Sequence, residues 1–160
     1  MKKFFFPIAM LVMAALAYGQ DSAQPPKDLS GFSGYAWGAG IEFVTNHMEG
    51  EDYDLISASC KDLWYRGKLL NEKLRLVYLF EDGMLTSGIW IFDDVDYESY
   101  WQVSEFLQNT YSTNVEMTVK GDDWIEAEMW PRGTNAQIVH NLDVEDDRHE
   151  VHYYYRSGEE

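Results

Sequence analysis

The sequence is poor in cysteine, in positive charge and in long apolar runs, and each shortage excludes a class of protein. Cys60 is the single cysteine in 160 residues, so no intrachain disulfide can form and the core must supply the stability. The 12 Lys and Arg are outnumbered by 28 Asp and Glu, which gives a formal net charge of −16. Nucleic acids and anionic membranes are bound mainly through Lys and Arg, so neither is an expected partner.

The longest uncharged run lies at the amino terminus and predicts an export signal. Lys2 and Lys3 precede the apolar stretch 4–16, and small residues follow at positions suited to cleavage before Gln20. This stretch is shorter than the roughly 20 residues that span a bilayer. Residues 1–19 are therefore predicted to be a cleaved signal peptide, and without them the formal net charge is −18.

A cleaved signal predicts a protein that is periplasmic or extracellular. No cysteine stands at the cut, so a lipoprotein is not expected, and no later run is long enough to span a membrane. Residues 20–30 contain a Pro-Pro pair and no apolar periodicity, which indicates a flexible leader. Residues 31–157 are predicted to form a single α+β domain.

The first half of this domain has the pattern of a helix followed by a meander. Apolar residues at helical spacing predict a short helix between Gly40 and Gly50, and residues 51–60 have the composition of a loop. Strand patterns follow at 63–69 and on both sides of a turn within 73–92, which is the clearest hairpin in the chain.

The second half repeats this order of elements. Apolar residues at helical spacing behind the acidic N-cap candidates 93–96 predict a helix over 97–110. Four strand patterns follow, at 114–120, 124–130, 136–142 and 150–156. Short connections favour antiparallel pairing. The predicted fold is α+β, an antiparallel meander sheet of about six to seven strands with two helices on one face, and a weak duplication would divide it into two helix-plus-meander halves.

The ordered motifs resemble a group of secreted bacterial proteins that has no established activity. The motifs are a Trp-Gly start before a helix at 32–38, a Tyr-x-Phe-x-Asp-Gly-x-Leu hairpin at 78–85, a Tyr-rich helix ending at 107–111, Trp124, and Tyr153 to Tyr155. Departures from the group's pattern occur at Ser33, Ala39-Gly40 and Ser112. The resemblance implies export and an α+β fold. The element order is also similar to outer-membrane assembly lipoproteins and secreted β-lactamase inhibitor proteins, which implies binding to other proteins.

One acidic segment has part of the spacing of a calcium loop. Asp94, Asp96, Glu98 and Glu105 fall at positions 1, 3, 5 and 12 of such a loop. Ser99 stands at position 6, where the loop needs glycine for its sharp turn. A helix start with an acidic cap is therefore the favoured interpretation.

Three histidines lie among the acids near the carboxyl terminus. A spacing of three puts His149 and His152 on opposite faces of a strand, where they cannot share an ion. His140 could still meet one of them across neighbouring strands. A solvated acidic hairpin is the favoured interpretation, and no metal site is predicted.

No motif for catalysis is present, so no catalytic residue and no cofactor are predicted. The chain lacks a Gly-x-Ser-x-Gly elbow, a phosphate-binding glycine loop and a His-Glu-x-x-His helix. Cys60 is expected to be buried beside Leu63 and Trp64, and the alternatives are a nucleophile or an intermolecular bridge.

Aromatic residues are abundant, and three of them are candidate binding residues. Trp124 and Trp130 share a strand face with two glutamates, and Tyr154 shares one with polar neighbours. Exposed rings often anchor protein interfaces. The predicted function is a non-enzymatic binding or envelope-associated protein with a protein partner in the cell envelope. The alternatives are a secreted glycan-binding module and, less favoured, a metal-binding protein or a hydrolase.

Overall fold

The computed structural model describes five stretches of the chain, residues 29–48, 53–111, 114–120, 123–131 and 134–155. The predicted signal peptide lies outside them, as does all but the end of the predicted leader. No helix within these stretches is long and apolar enough to cross a membrane.

The first half begins with a two-stranded ribbon, β1 (Gly31–Phe32) and β2 (Tyr35–Ala36). Helix α1 (Ile41–Met48) follows, as its apolar spacing predicts. Four antiparallel strands come next, and they are β3 (Asp54–Ala58), β4 (Asp62–Leu69), β5 (Glu72–Glu81) and β6 (Met84–Phe92). The β5–β6 turn holds Asp82 and Gly83 at positive φ, 51° and 77°, as its Asp-Gly sequence favours.

The second half consists of α2 (Tyr97–Tyr111) and four more strands. The strands are β7 (Asn114–Lys120), β8 (Trp124–Trp130), β9 (Ala136–Asp143) and β10 (Arg148–Tyr155). Asp96 caps α2, because its Oδ1 accepts a hydrogen bond from the backbone N–H of Ser99 at 2.8 Å. The interpretation of this acidic segment as a capped helix start is thus confirmed.

The strands form one antiparallel sheet in the order β3-β4-β5-β6-β10-β9-β8-β7. Each half contributes a four-stranded meander, and the last strands of the two meanders, β6 and β10, pair at the centre. In that pair Trp90 lies opposite Val151, and Gly88 lies opposite Tyr153. The α+β meander fold with two helix-plus-meander halves is therefore confirmed.

The predicted loop over 51–60 is wrong at its centre, where β3 forms an edge strand beside β4. All five residues of β3 are exposed, and the pairing register shifts between Leu55 and Ser57. A strand without a buried face has no apolar alternation to reveal it. With β3 the sheet has eight strands, more than the six to seven predicted.

The expectation of a buried Cys60 is also wrong, since this residue is exposed. It lies in the turn between β3 and β4, where the N–H of Ser59 donates to the carbonyl of Asp62 at 2.8 Å. The inward-facing positions begin only with Leu63, which is buried. The turn therefore holds the thiol away from the core.

Both helices pack on one face of the sheet. Helix α1 contributes Val44 and Met48 to the core, and α2 contributes Val103 and Leu107. Each helix has few buried residues because its amphipathic stripe is narrow, and strand residues supply most of the core. The opposite face of the sheet has no helix on it among the described residues.

An aromatic cluster joins the ribbon to the centre of the sheet. The ring of Phe32 lies 5.1 Å from that of Tyr78 and 5.0 Å from that of Tyr153, measured between centroids. Phe32 sits over Gly88, where a Cβ would collide with its ring. The missing side chain of Gly88 thus creates the space that the ribbon fills.

Candidate functional site

The three predicted binding residues all lie on the face of the sheet opposite the helices, which we call the open face. Side chains alternate along β8, so Ile125 and Ala127 are buried under the helices while Trp124 and Trp130 point to the open face and are half-buried. On β10, Tyr154 is on the open face and is 40% exposed. The predicted shared strand face is therefore confirmed for the two tryptophans.

The structure brings two of these three residues to one end of the open face. Tyr154 pairs with Gln137 of β9, beside the end of β8 that carries Trp130. The strands that carry Trp130 and Tyr154 are two strand spacings of about 4.8 Å apart. Trp124 lies six residues from Trp130 on the same strand, or about 20 Å along β8. Trp124 thus marks the opposite end of the face.

One cross-strand row of the open face is mainly apolar, with His152 and Glu128 as its polar members, and we call it the apolar row. Residues paired across successive strands form this row, and they are Trp64, Val77, Ile89, His152, Val139 and Glu128. Val77 is only 1% exposed, flanked by its cross-strand neighbours. His152 is held in place, since its Nε2 lies 2.8 Å from Oε2 of Glu150 and its ring stacks on that of Tyr154.

Positive charge is concentrated on the β4–β5 side of the open face. Arg66 pairs directly with Arg75, and Lys68 pairs directly with Lys73. None of these four cations lies within 4 Å of a carboxylate in the described part of the chain. We call these four residues the basic half of the open face. Like charges directly opposite each other destabilise a sheet, so this cluster carries a cost for the folded monomer.

Negative charge is concentrated on the other side, on β8 and β10. Glu126, Glu128 and Glu150 point to the open face, and we call them the acidic half. Gln137 fixes one of these carboxylates, since its Nε2 donates to Oε2 of Glu128 at 3.0 Å. Burial, together with the charges of Glu150 and Glu126, raises the pKa of Tyr154.

On the covered face, two histidines form a buried pair beneath α2. His140 of β9 and His149 of β10 are both 0% exposed, and their Nε2 atoms lie 2.9 Å apart. The ring of His140 also stacks on that of Tyr100, with centroids 4.1 Å apart. The prediction that His140 could meet one of the later histidines is confirmed, but the interpretation as a solvated hairpin is wrong for these two residues.

The hydrogen bonds of the pair fix the position of each proton. The carbonyl of Asp94 can only accept, so Nδ1 of His149, 2.9 Å away, must donate to it. Nε2 of a neutral His149 then accepts from Nε2 of His140. Nδ1 of His140 accepts in turn from the hydroxyl of Ser104 at 3.0 Å. All four ring nitrogens are therefore satisfied when both histidines are neutral.

A proton added to the pair gains a new acceptor only if the Ser104 hydroxyl turns to accept from Nδ1 of His140, and the added charge is buried. Burial, with the charge of His149 as a second cause, holds the pKa of His140 well below its usual range. Burial also lowers the pKa of His149, although the Asp94 carbonyl and the charges of Asp94 and Asp96 act in the opposite direction. The pair is thus a neutral structural element, with no surface that a substrate could reach.

The described residues contain no group of three or more His, Cys, Asp or Glu side chains placed to hold a metal ion. In the histidine pair each Nδ1 already has its own hydrogen-bond partner, and the two Nε2 atoms bond to each other. His152 lies on the other face of β10, as its spacing from His149 predicts.

One carboxylate outside these sites also has a perturbed pKa. A hydrogen bond with Asp94, burial, and the charges of Asp94, Asp96 and Glu98 raise the pKa of Glu72 to about 7. Glu72 begins β5, and the acids lie at the start of α2. The crowding of these carboxylates accounts for the shift without a ligand.

A shallow groove of about 320 Å³ lies between α1 and the β3–β4 turn. Its described lining residues are Ile41, Glu42, Thr45, Asn46, Ala58, Ser59 and Leu63. Glu42 is the one ionisable side chain among them. The groups with perturbed pKa values lie elsewhere, so the groove lacks the converging acid and base that a catalytic cleft requires.

Comparison with known proteins adds no relative to this geometry. No family model matches the chain, and neither a curated protein nor a solved structure is significantly similar to it. Its function therefore has to be inferred from its own surfaces.

Proposed function

We propose that the protein is an exported, non-enzymatic binding protein that acts through protein contacts made by its open face. The observation that supports this proposal is the arrangement of that face, in which an apolar row runs from a basic half on β4 and β5 to an acidic half on β8 and β10. Aromatic anchors surrounded by segregated polar groups are typical of protein interfaces. Trp130 and Tyr154, at one end of the face, are the principal anchors.

An enzymatic function has less support, because perturbed groups and accessible space do not coincide. His140 and His149 are buried with their hydrogen bonds satisfied, and Glu72 lies apart from the groove beside α1. The glycan alternative also has less support. Trp124 and Trp130 are about 20 Å apart, much farther than the length of one sugar unit, so they cannot stack on successive rings of a glycan.

The test is affinity capture from an envelope extract of the bacterium that encodes the protein. Residues 20–160 serve as the immobilised bait, alongside a variant with Trp124→Ala, Trp130→Ala and Tyr154→Ala. Loss of aromatic anchors typically costs an interface at least about 2 kcal/mol. We expect capture of the specific partner to fall at least about tenfold in the variant.

The matched control removes exposed rings from the helix side of the molecule. Tyr97 and Trp101 are 40% and 48% exposed on α2, so Tyr97→Ala with Trp101→Ala changes a similar aromatic surface away from the open face. Circular dichroism verifies that both variants are folded. If the control variant loses the partner and the open-face variant keeps it, the proposed contact surface is wrong.

A further inference from the structure

We propose that the partner of the open face is a second copy of the chain, in a two-fold dimer that stacks the two sheets face to face. This inference rests on the proposed function and names its partner. It follows from a second property of the open face, which the proposed function does not require. The charges on this face are complementary to the charges on the same face of a second copy.

The strand order determines what a two-fold axis would bring together. If the axis runs parallel to the strands over the central β6–β10 pair, each strand faces the one at the mirrored position in the sheet order. Strand β4 then lies over β8 of the second copy, and β5 lies over β9. Stacked sheets keep their strands within about 30° of parallel, so this arrangement is an ordinary sheet packing.

This operation places two of the four cations of the basic half over acidic residues of the other copy, whereas Arg75 comes over Asn141 and Lys68 over Trp124. Arg66 and Glu126 belong to the same cross-strand row, through Arg75, Ile91, Glu150 and Asn141, so the axis brings Arg66 over Glu126. Lys73 comes over Asp143, whose Oδ2 also accepts a hydrogen bond from Arg148 of its own chain at 2.9 Å. Each contact occurs twice, as symmetry requires of a two-fold interface.

The apolar row lies beside the row of Arg66 and Glu126, two residues away along each strand, and supplies the apolar part of the interface. Val77 comes over Val139, and Ile89 comes over His152, because these residues share one row at mirrored strands. Specific protein interfaces combine apolar contacts with polar ones, and this arrangement supplies both.

The size of the face suits a stable dimer. Eight strands spaced about 4.8 Å apart and about 25 Å long present roughly 850 Å². A standard protein interface buries about 800 Å² on each partner. Within one chain Asp54 of β3 is the cross-strand neighbour of Arg66. A second copy adds carboxylates over Arg66 and Lys73, which offsets part of the repulsion between Arg66 and Arg75 and between Lys68 and Lys73.

The experiment uses two charge-reversal variants of residues 20–160 and their mixture. In Arg66→Glu with Arg75→Glu both halves of the face are acidic, and in Glu126→Arg with Glu128→Arg both are basic. Sedimentation velocity is measured from about 1 to about 100 μM protein at 0.15 M salt, a range that covers micromolar affinities. We expect the wild type to dimerise and each variant alone to associate at least about 100-fold more weakly.

The mixture of the two variants is the decisive sample. Its acidic and basic faces are complementary at both contacts, so we expect a heterodimer with an affinity within about tenfold of the wild-type dimer. A wild type that stays monomeric overturns the proposal. The proposal is also overturned if the charge-reversal variants dimerise as tightly as the wild type, or if the mixture of the two variants fails to associate.

Carbodiimide cross-linking of the wild type keeps the proposal testable if a variant does not fold. Lys73 and Asp143 lie three strand spacings apart within one chain, about 14 Å, which is too far for a zero-length bond. A link between a lysine of β5 and a carboxylate of β8 or β9 must then join two copies. Only intrachain links in a dimeric sample would contradict the proposed arrangement.

The two proposals fail in different ways. If the protein is monomeric but the open-face aromatic variant still loses an envelope partner, the second copy is the wrong partner and the binding function stands. If the protein dimerises through the open face, the bait should capture its own endogenous copy, and the Trp124, Trp130 and Tyr154 variant should not.

Discussion

The two halves of the chain have the same order of elements, but their helices cover different chemistry. In the first half, α1 and the ribbon cover rings and aliphatic side chains, with Phe32, Tyr78 and Met48 in contact. In the second half, α2 covers His140 and His149, and its own Ser104 donates to one of them. Both halves share one apolar core, and the second half adds a buried hydrogen-bonded chain to it.

This difference separates two sources of stability. Apolar burial depends on area and volume and is independent of pH. A buried hydrogen-bonded chain depends on each member being present and in the correct protonation state, because an unsatisfied buried group costs about 1–3 kcal/mol. We therefore expect the first half to respond mainly to changes of size and the second half mainly to pH.

The largest effect is expected from Phe32→Ala in the first half. The change removes a ring that contacts Tyr78, Trp90 and Tyr153, and loss of a buried phenylalanine typically costs about 3–5 kcal/mol. Urea unfolding at pH 7.5 and pH 5.5 should give the same loss at both. Phe43→Ala is the control, since Phe43 is 53% exposed and its loss should cost about 0.5 kcal/mol or less. A loss of stability in Phe32→Ala that is larger at pH 5.5 than at pH 7.5 would contradict the expected difference between the two halves.

The second expected effect is a loss of wild-type stability in mild acid. The pKa values of His140 and His149 are lowered in the folded state, so the unfolded chain takes up protons first, near pH 6.5. The free energy of unfolding should therefore fall as pH drops below about 6.5 and be unaffected by this pair above it. Two protons give a slope of at most about 2.7 kcal/mol per pH unit.

Replacing the pair provides the control for this pH dependence. His140→Phe with His149→Leu removes both titrating rings and both hydrogen-bond partners, so the acid loss should disappear. Urea unfolding from pH 4.5 to pH 8 measures it in both proteins. The same slope in wild type and double variant would assign the acid sensitivity to other groups.

Much of the fold could be predicted from the sequence because local patterns determined it. The Asp-Gly turn and alternating residues of β5 and β6 define their hairpin, and α2 has both a cap at Asp96 and helical spacing. Strand β3 could not be predicted, because its five exposed residues have no buried face and only β4 makes them a strand. The ribbon likewise depends on Gly88, which is distant in sequence.

The candidate site could be predicted only in part. Alternation placed Trp124 and Trp130 on the polar side of one strand and Tyr154 on the polar side of another. Pairing across strands was needed to bring these sides to one face of the sheet, to align Arg66 with Arg75 and to form the basic half. The histidine pair did have a signal in the sequence. His149 shares its face with Val151 and Tyr153, and this parity indicates an inward side chain. The acidic residues around it favoured the wrong interpretation.

A smaller effect is expected from removing one hydroxyl of the buried chain. Ser104→Ala leaves Nδ1 of His140 without its donor, which should cost about 1–2 kcal/mol at pH 7.5. Ser99→Ala is a matched control on the same helix, because Ser99 is equally buried but lies 3.4 Å from its histidine nitrogen. Urea unfolding of both variants measures the difference. Equal losses would mean that packing, and not the hydrogen bond, explains the role of Ser104.

The smallest effect tests a carboxylate at the junction of the two halves. The folded pKa of Glu72 is raised to about 7 from its usual 4.5, so its contribution is fully present below pH 4.5 and is lost as pH rises through about 7. This dependence is opposite in sign to that of the histidine pair. Glu72→Gln should therefore raise the free energy of unfolding at pH 8 by less than about 1 kcal/mol, since the site is partly solvated, and should have no such effect at pH 4.5. The cleanest background is the protein that also carries His140→Phe and His149→Leu. There Glu72→Gln should flatten the remaining rise in the free energy of unfolding toward acid pH. An unchanged pH profile would show that Glu72 does not titrate in this range.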